Sequence, residues 1–180
     1  MWRRVRIAIL LIVLAFVAVG AWLDRQRTTS WEHTVWVGAF PVNADGSAAA
    51  AGYIAGLSNA DLQPIAEYIA SEAHRYGVAI GEPIGIRLYP VLREPPPEAA
   101  AGANLLQRVL WTLRLRRYRA HAIASIERAR PKIALFLLYH DPARSPVLPH
   151  SLGLQRGLMG VVQLFAVRSQ AEQNAFVIAH

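Results

Sequence analysis

Cysteine is absent from the 180 residues, so the chain has no disulfide framework, no thiolate metal site and no cysteine nucleophile. Two further motifs are missing. No Gly-rich phosphate loop follows a strand, because Gly153 and Gly157 stand in the wrong context for one. No G-x-S-x-G nucleophile elbow is present either, which leaves a serine-triad hydrolase without support. Cysteine-dependent enzymes are thereby excluded, and phosphate-loop enzymes and serine-triad hydrolases lack their motifs.

Charge is absent from seventeen consecutive residues, Ile7 to Leu23. At 1.5 Å per residue a helix of this length spans about 25 Å, the short end of the range for a transmembrane helix. Arg3, Arg4 and Arg6 precede the run, and the positive-inside rule then places the N-terminus in the cytoplasm. We therefore predict that residues 1–27 are a membrane anchor that contacts the lipid bilayer from Ile7 to Leu23.

A cleaved signal peptide is the alternative for this segment, because small residues from Ala18 to Ala21 offer cleavage points. Both interpretations deliver residues 28–180 to the same compartment. The retained anchor predicts a single-pass protein of a bacterial inner membrane, with a cytoplasmic N-terminus and a periplasmic domain. The sequence does not tell the cleaved from the retained form.

Basic charge is concentrated in one part of the remaining chain. The whole chain has a net charge of +7, whereas residues 28–180 contain 14 basic and 11 acidic side chains, or +3. Eight of those basic residues lie between Arg108 and Lys132, with Glu127 as the single acid. We interpret this patch as a solvated face, and contact with anionic lipid head groups is the alternative. No nucleic-acid motif is present, and a protein partner is not specified.

Strand and helix patterns alternate along residues 28–180. Strands are predicted at 33–42, 84–92, 132–139 and 158–167, and helices at 58–76, 102–119 and 169–180. Ser58 and Asp61 begin the first helix, and Gly77 ends it. A turn is predicted at 43–46, and loops are predicted at 47–57 and 148–155. Leu105, Leu106, Val109, Leu110 and Leu113 are predicted to form the core face of the second helix. The order β-α-β-α-β-β-α predicts one α/β (α+β) domain with a mixed sheet.

Few side chains are candidates for chemistry. His140 and Asp141 follow the central strand, where many α/β sites lie, but the segment "YHDPARSP" is also an ordinary polar turn, the reading we favour. Glu67 and Glu72 are about 140° apart around their helix, so we interpret them as solvated carboxylates. The remaining histidines are scattered singly and are interpreted as surface or satisfied side chains: His33, His74, His121 and His150.

The last twelve residues, "SQAEQNAFVIAH", begin as a helix does, with Ser169 and Glu172 at capping-box spacing. They then run through apolar residues to His180 without a helix-ending signal. Zinc peptidases of the zincin class place H-E-x-x-H on a helix, usually after a small uncharged run. The segment Val177 to His180 resembles the left half of that signature, behind an apolar strand as in zincins.

This resemblance implies a membrane-anchored zincin-like metallopeptidase whose motif stops at its first zinc ligand, His180. It covers the fold from about His33 onward and four motif residues. A catalytic zinc site needs three protein ligands and a general base, so a full-length relative would hold zinc whereas this chain is expected to hold none and to be inactive. The alternatives are a frayed terminal histidine and a non-catalytic envelope protein whose periplasmic domain binds a partner.

Overall fold

The computed structural model describes residues 2–29, 33–98, 102, 104–124, 126 and 130–179. The helices of this part are α1 (Trp2–Thr29), α2 (Ala48–Ala55), α3 (Gln63–Arg75), α4 (Leu105–Ala124) and α5 (Ala171–Ala179). The strands are β1 (Val35–Asn43), β2 (Ile84–Leu88), β3 (Ile133–His140), β4 (Leu152–Leu154) and β5 (Met159–Phe165). Short 3-10 turns precede α3, β5 and α5, at Asn59–Leu62, Gln155–Gly157 and Arg168–Gln170.

The five strands form one mixed sheet in the order β2-β1-β3-β5-β4. The first four are parallel, and β4 is an antiparallel edge strand that pairs Leu152 with Val161 of β5. The chain leaves β1 toward one edge of the sheet and leaves β2 in the opposite direction. Right-handed crossovers of opposite direction place their helices on opposite faces, which gives an α/β sheet covered on both sides.

Strands β1 and β3 form the centre of the core and are nearly continuously buried. Alternate residues point to opposite faces of a strand, so Phe136 of β3 packs on one side of the sheet and Leu137 on the other. Helix α4 covers the Phe136 face, where Phe40 stacks on Tyr89 at 4.9 Å between ring centroids. Helices α2, α3 and α5 cover the Leu137 face.

Two elements differ from the sequence prediction because local pattern did not specify them. Helix α2 occupies a Gly/Ala-rich segment that was predicted to be a loop, although alanine is the strongest helix former. Ser47 begins α2, because its Oγ accepts a hydrogen bond from the Ala50 N–H at 3.0 Å. Strand β4 also lies in a predicted loop, and its three residues are extended through their pairing with β5.

Helix α4 is rotated relative to the prediction. Its sheet-facing side consists of Leu115, Ala122 and Ile123, with Trp111 and Tyr118 partly buried beside them. The predicted core face lies on the opposite side and is exposed, and its residues are Leu105, Leu106, Val109, Leu110 and Leu113. Apolar residues occur on both sides of this helix, so helical period alone did not distinguish the buried side from the exposed one.

No helix among the described residues is long and apolar enough to cross a membrane. The predicted transmembrane helix is therefore wrong. The uncharged run from Ile7 to Leu23 is the middle of α1, a 28-residue helix with charged residues in its first and last turns. The extracytoplasmic location was inferred from the predicted transmembrane helix, is not tested by the structure and stays a prediction.

The orientation of α4 can be tested with two leucines of the same helix. Leu115 is completely buried, whereas Leu113 is 55% exposed. We expect Leu115→Ala to lower the free energy of unfolding by about 2–5 kcal/mol, because it removes packed methyl groups and leaves a cavity. Leu113→Ala, the matched control, should change it by less than about 0.5 kcal/mol. Urea unfolding followed by circular dichroism measures both, and the reverse ranking would contradict the observed orientation.

Candidate functional site

The carboxyl ends of β1 and β3 meet at the point where the chain direction changes. The connection from β1 leads toward β2, and the connection from β3 leads the other way, toward β5. In open α/β sheets ligands bind in the crevice at such a switch point. Five polar residues lie there, and we call them the carboxyl-end cluster: Asn43, Asp45, Ser47, His140 and Asp141.

Asp45 connects the two loops of this cluster. One carboxylate oxygen accepts the N–H of Ser47 at 2.9 Å, and the other accepts the N–H of Asp141 at 2.7 Å. Burial raises the pKa of Asp45, but the hydrogen bonds from Asp141 and Ser47, together with the nearby charge of His140, lower it more. The pKa of Asp45 therefore lies below its usual value of 3.8, and the residue is ionised at neutral pH.

The loop after β3 is a tight turn stabilised by Asp141. Its carboxylate accepts the N–H of Ala143 at 2.9 Å, and its carbonyl oxygen accepts the N–H groups of Arg144 and Ser145. The Arg144 guanidinium returns to the first loop and donates to the carbonyl oxygen of Asp45 at 3.0 Å. The polar turn that the sequence suggested is therefore present, and it is fastened to the loop that follows β1.

His140 is half-buried between β3 and β5. Its Nε2 lies 2.7 Å from Oε1 of Gln163, and since an amide oxygen only accepts, we assign the ring proton to Nε2. The carbonyl oxygen of His140 also accepts the N–H of Ala166 at 2.8 Å. The bond to Gln163 fixes the imidazole at the carboxyl end of β3. The described residues place no serine or threonine hydroxyl within hydrogen-bond distance of it.

The cluster is mainly structural in character. Both Asp45 oxygens and the Asp141 carboxylate are engaged by backbone N–H groups. In the part of the chain that is described, no group of three or more His, Asp or Glu side chains could hold a metal ion. One acceptor remains open there: Oδ1 of Asn43 is buried without a hydrogen-bond partner, while its Nδ2 donates to the Ser47 carbonyl oxygen at 3.0 Å.

Helix α5 is docked against the sheet. Asn174 is buried, and its Nδ2 donates to the carbonyl oxygen of Phe165, the last residue of β5, at 2.9 Å. Val177, Ile178 and Ala179 pack against the core cluster on the Leu137 face of the sheet. Ser169 lies inside the 3-10 turn before Ala171, so α5 begins two residues later than the capping-box prediction. His180, the predicted zinc ligand, lies outside the described residues.

A cleft of about 630 Å³ lies between α4 and the edge strand β4. Its walls combine apolar groups, such as Leu110 and Leu154, with the arginines Arg108 and Arg114. Trp111 at its base is fixed by a hydrogen bond from Nε1 to the carbonyl oxygen of Pro97 at 2.8 Å. The cleft and the carboxyl-end cluster have no lining residue in common.

The other sequence candidates are separate from both places. On α3, Glu67 accepts a hydrogen bond from Gln63. Oε1 of Glu72 lies 3.6 Å from Nη1 of Arg75 on the same helix. The two glutamates therefore have separate partners and do not form a carboxylate pair. The sequence identified His140 and Asp141 as candidate site residues, whereas Asp45 was predicted only as part of a turn. The signal that would have identified Asp45 is its position just after a buried strand, the same position that Asp141 has after β3.

The role of Asp45 predicts a defined pH dependence. Because its folded pKa is lowered, its contribution to stability is present above the usual pKa of 3.8 and is lost as the pH falls below that value. Asp45→Asn should lower the free energy of unfolding at pH 7 by about 1–3 kcal/mol, since the amide nitrogen replaces one acceptor. Glu82→Gln, at an exposed turn, is the control.

Denaturant unfolding at pH 7, 5 and 3 would measure this effect. The difference between wild type and Asp45→Asn should shrink at the lowest pH, because the Asp45 carboxylate of the unfolded wild-type chain binds a proton more readily there than that of the folded chain. A difference that is constant across the three pH values would show that the Asp45 charge does not stabilise the fold.

Comparison with known proteins assigns no family, because no family model, curated protein or solved structure matches this chain.

Proposed function

We propose that residues 33–180 form the scaffold of a zincin-like zinc metallopeptidase, with α5 as the helix that carries the first zinc ligand, His180. The observation that carries this proposal is the docking of α5. The helix follows β5 after one 3-10 turn and packs along the sheet up to Ala179. A metal ligand needs such a rigid support, because coordination tolerates little positional freedom.

The edge of the sheet supports the same proposal. In zincins an edge strand borders the substrate cleft, and here β4 is an antiparallel edge strand beside β5. Leu152 and Gly153 of β4 are exposed, and all three β4 residues line the cleft next to α4. An extended peptide can add to a free strand edge through backbone hydrogen bonds, which is a common mode of peptide recognition.

The exposed side of α5 is compatible with a ligand at position 180. Positions 173 and 176 precede it by two turns and one turn, and both Gln173 and Phe176 are exposed, Phe176 by 53%. Asn174 and Ile178, on other sides of the helix, face the sheet. Gln173 and Phe176 thus mark the side of α5 that faces away from the sheet.

A zincin site needs more donors than His180. A catalytic zinc has three protein ligands, and the Glu of H-E-x-x-H activates the attacking water. The described residues contain no cluster that could supply the missing ligands. We therefore expect neither tight zinc binding nor peptidase activity from this chain.

A non-catalytic binding domain is the second candidate. Helix α4 has an exposed apolar side, on which Leu105 is 80% exposed and Leu106 is 67% exposed. Large exposed apolar surfaces rimmed by polar residues mark interaction sites in many proteins. This candidate needs no metal and predicts that changes at His180 have no functional effect.

A zinc titration would distinguish the two candidates. The test protein is the chain extended by Glu-x-x-His, a glycine turn and a third ligand, compared with the unextended chain by calorimetry. We expect the extension to bind zinc far more tightly and to raise the melting temperature, because metal binding adds to the free energy of unfolding.

His180→Ala in the extended chain is the decisive variant, and His150→Ala is the control, since His150 is exposed on the loop before β4. The first should abolish the gain in affinity and melting temperature, and the second should preserve both. Zinc binding that survives His180→Ala would overturn the proposal and favour the binding domain.

A further inference from the structure

Helix α4 carries an apolar side that no other described element covers. Its members lie at positions i, i+1, i+4, i+5 and i+8, which is one side of a helix. They are Leu105, Leu106, Val109, Leu110 and Leu113, between 45% and 80% exposed. The opposite side, with Leu115, is buried against the sheet. Helix α4 therefore has two apolar sides, and only one of them is used by the fold.

The exposed side changes from apolar to basic along the helix. Arg116 and Arg117 follow Leu113 by three and four residues, so they extend the same side, and both are exposed. Helix α4 contains five arginines and no acidic residue. Arg119 differs from the others, because it is half-buried and donates to the Lys132 carbonyl oxygen at 3.1 Å. The exposed side thus presents leucines in its first half and cationic charge in its second.

We propose that this side of α4 lies on the surface of an anionic lipid bilayer. The leucines would enter the boundary between head groups and acyl chains, and Arg116 and Arg117 would contact the phosphate groups. Amphipathic helices with basic residues beside an apolar side bind membrane surfaces in this way. An anionic bilayer supplies both complements, hydrocarbon and negative charge, without a shaped partner surface. The inference is independent of the zinc proposal.

A second copy of the chain would complement the exposed side of α4 less well than an anionic bilayer does. The exposed side of α4 has no carboxylate to pair with Arg116 and Arg117. Antiparallel packing of two such helices would place these arginines against leucines, and parallel packing would place them against each other. Both arrangements bury or oppose charge without a partner, which is unfavourable.

The test uses a label that reports on α4 alone. The chain has no cysteine, so Leu110→Cys in the full chain can be labelled uniquely with an environment-sensitive fluorophore. Ser71→Cys, exposed on α3 at the other face of the sheet, is the matched control. We expect vesicles of phosphatidylglycerol and phosphatidylcholine to shift the emission at position 110 to the blue and to protect it from iodide. The label at position 71 should not respond.

The arginines are tested through the vesicle concentration that gives a half-maximal response. Arg116→Gln with Arg117→Gln should raise this concentration roughly thirty-fold at low salt, since each basic residue near the surface contributes about a factor of five. Arg75→Gln with Arg93→Gln, which removes the same charge elsewhere, should have a much smaller effect. Circular dichroism verifies that each variant is folded.

Three results would overturn the proposal. One is the absence of a response at position 110 with anionic vesicles. Another is an equal response with pure phosphatidylcholine, because the phosphate charge would then have no role. The third is a shift that depends on protein concentration without vesicles, which would assign this side of α4 to a second copy of the chain.

Discussion

The parallel pairing of β1 with β3 is the constraint on which the rest of the structure depends. The register runs from Val37 opposite Ile133 to Asn43 opposite Tyr139, and both strands are buried on both faces. Burying an apolar side chain contributes roughly 1.5–3 kcal/mol, so a two-faced pair is stable only when helices cover each face. Helix α4 covers one face, and α2, α3 and α5 cover the other. The same pairing brings the ends of β1 and β3 together, and this places Asp45 against the backbone of Asp141.

The carboxyl-end cluster therefore holds the loops after β1 and β3 together. Asp45 and Asp141 lie at the switch point of the sheet, where ligands bind in many α/β proteins, but their carboxylates are engaged by backbone N–H groups. Both oxygens of Asp45 accept such hydrogen bonds, and one oxygen of Asp141 does, so these carboxylates join the two loops. The surfaces available for binding are the exposed sides of α5 and α4. Both are rigid because the opposite side of each helix is packed on the sheet.

Much of the architecture was predictable from local pattern. The positions of β1, β3 and β5 follow from apolar and β-branched runs, and helix α3 follows from its period. The Ser58–Asp61 capping interaction was also predictable, and the Asp61 carboxylate accepts both the N–H and the hydroxyl of Ser58 at 2.7 Å. It begins a 3-10 turn that leads into α3. The candidate site was predictable only in part, because His140 and Asp141 are adjacent in sequence whereas Asp45 and Asp141 are 96 residues apart.

The sequence by itself determined which segments are strands or helices wherever one residue period is dominant, because the period reflects a single buried side. Tertiary structure decided the rest. It selected which apolar side of α4 is buried, since the helix has two and only packing against the sheet distinguishes them. It extended the three residues of β4 through pairing with β5. It also brought Asp45 to Asp141, a contact that exists only because β1 and β3 are neighbours in one parallel sheet.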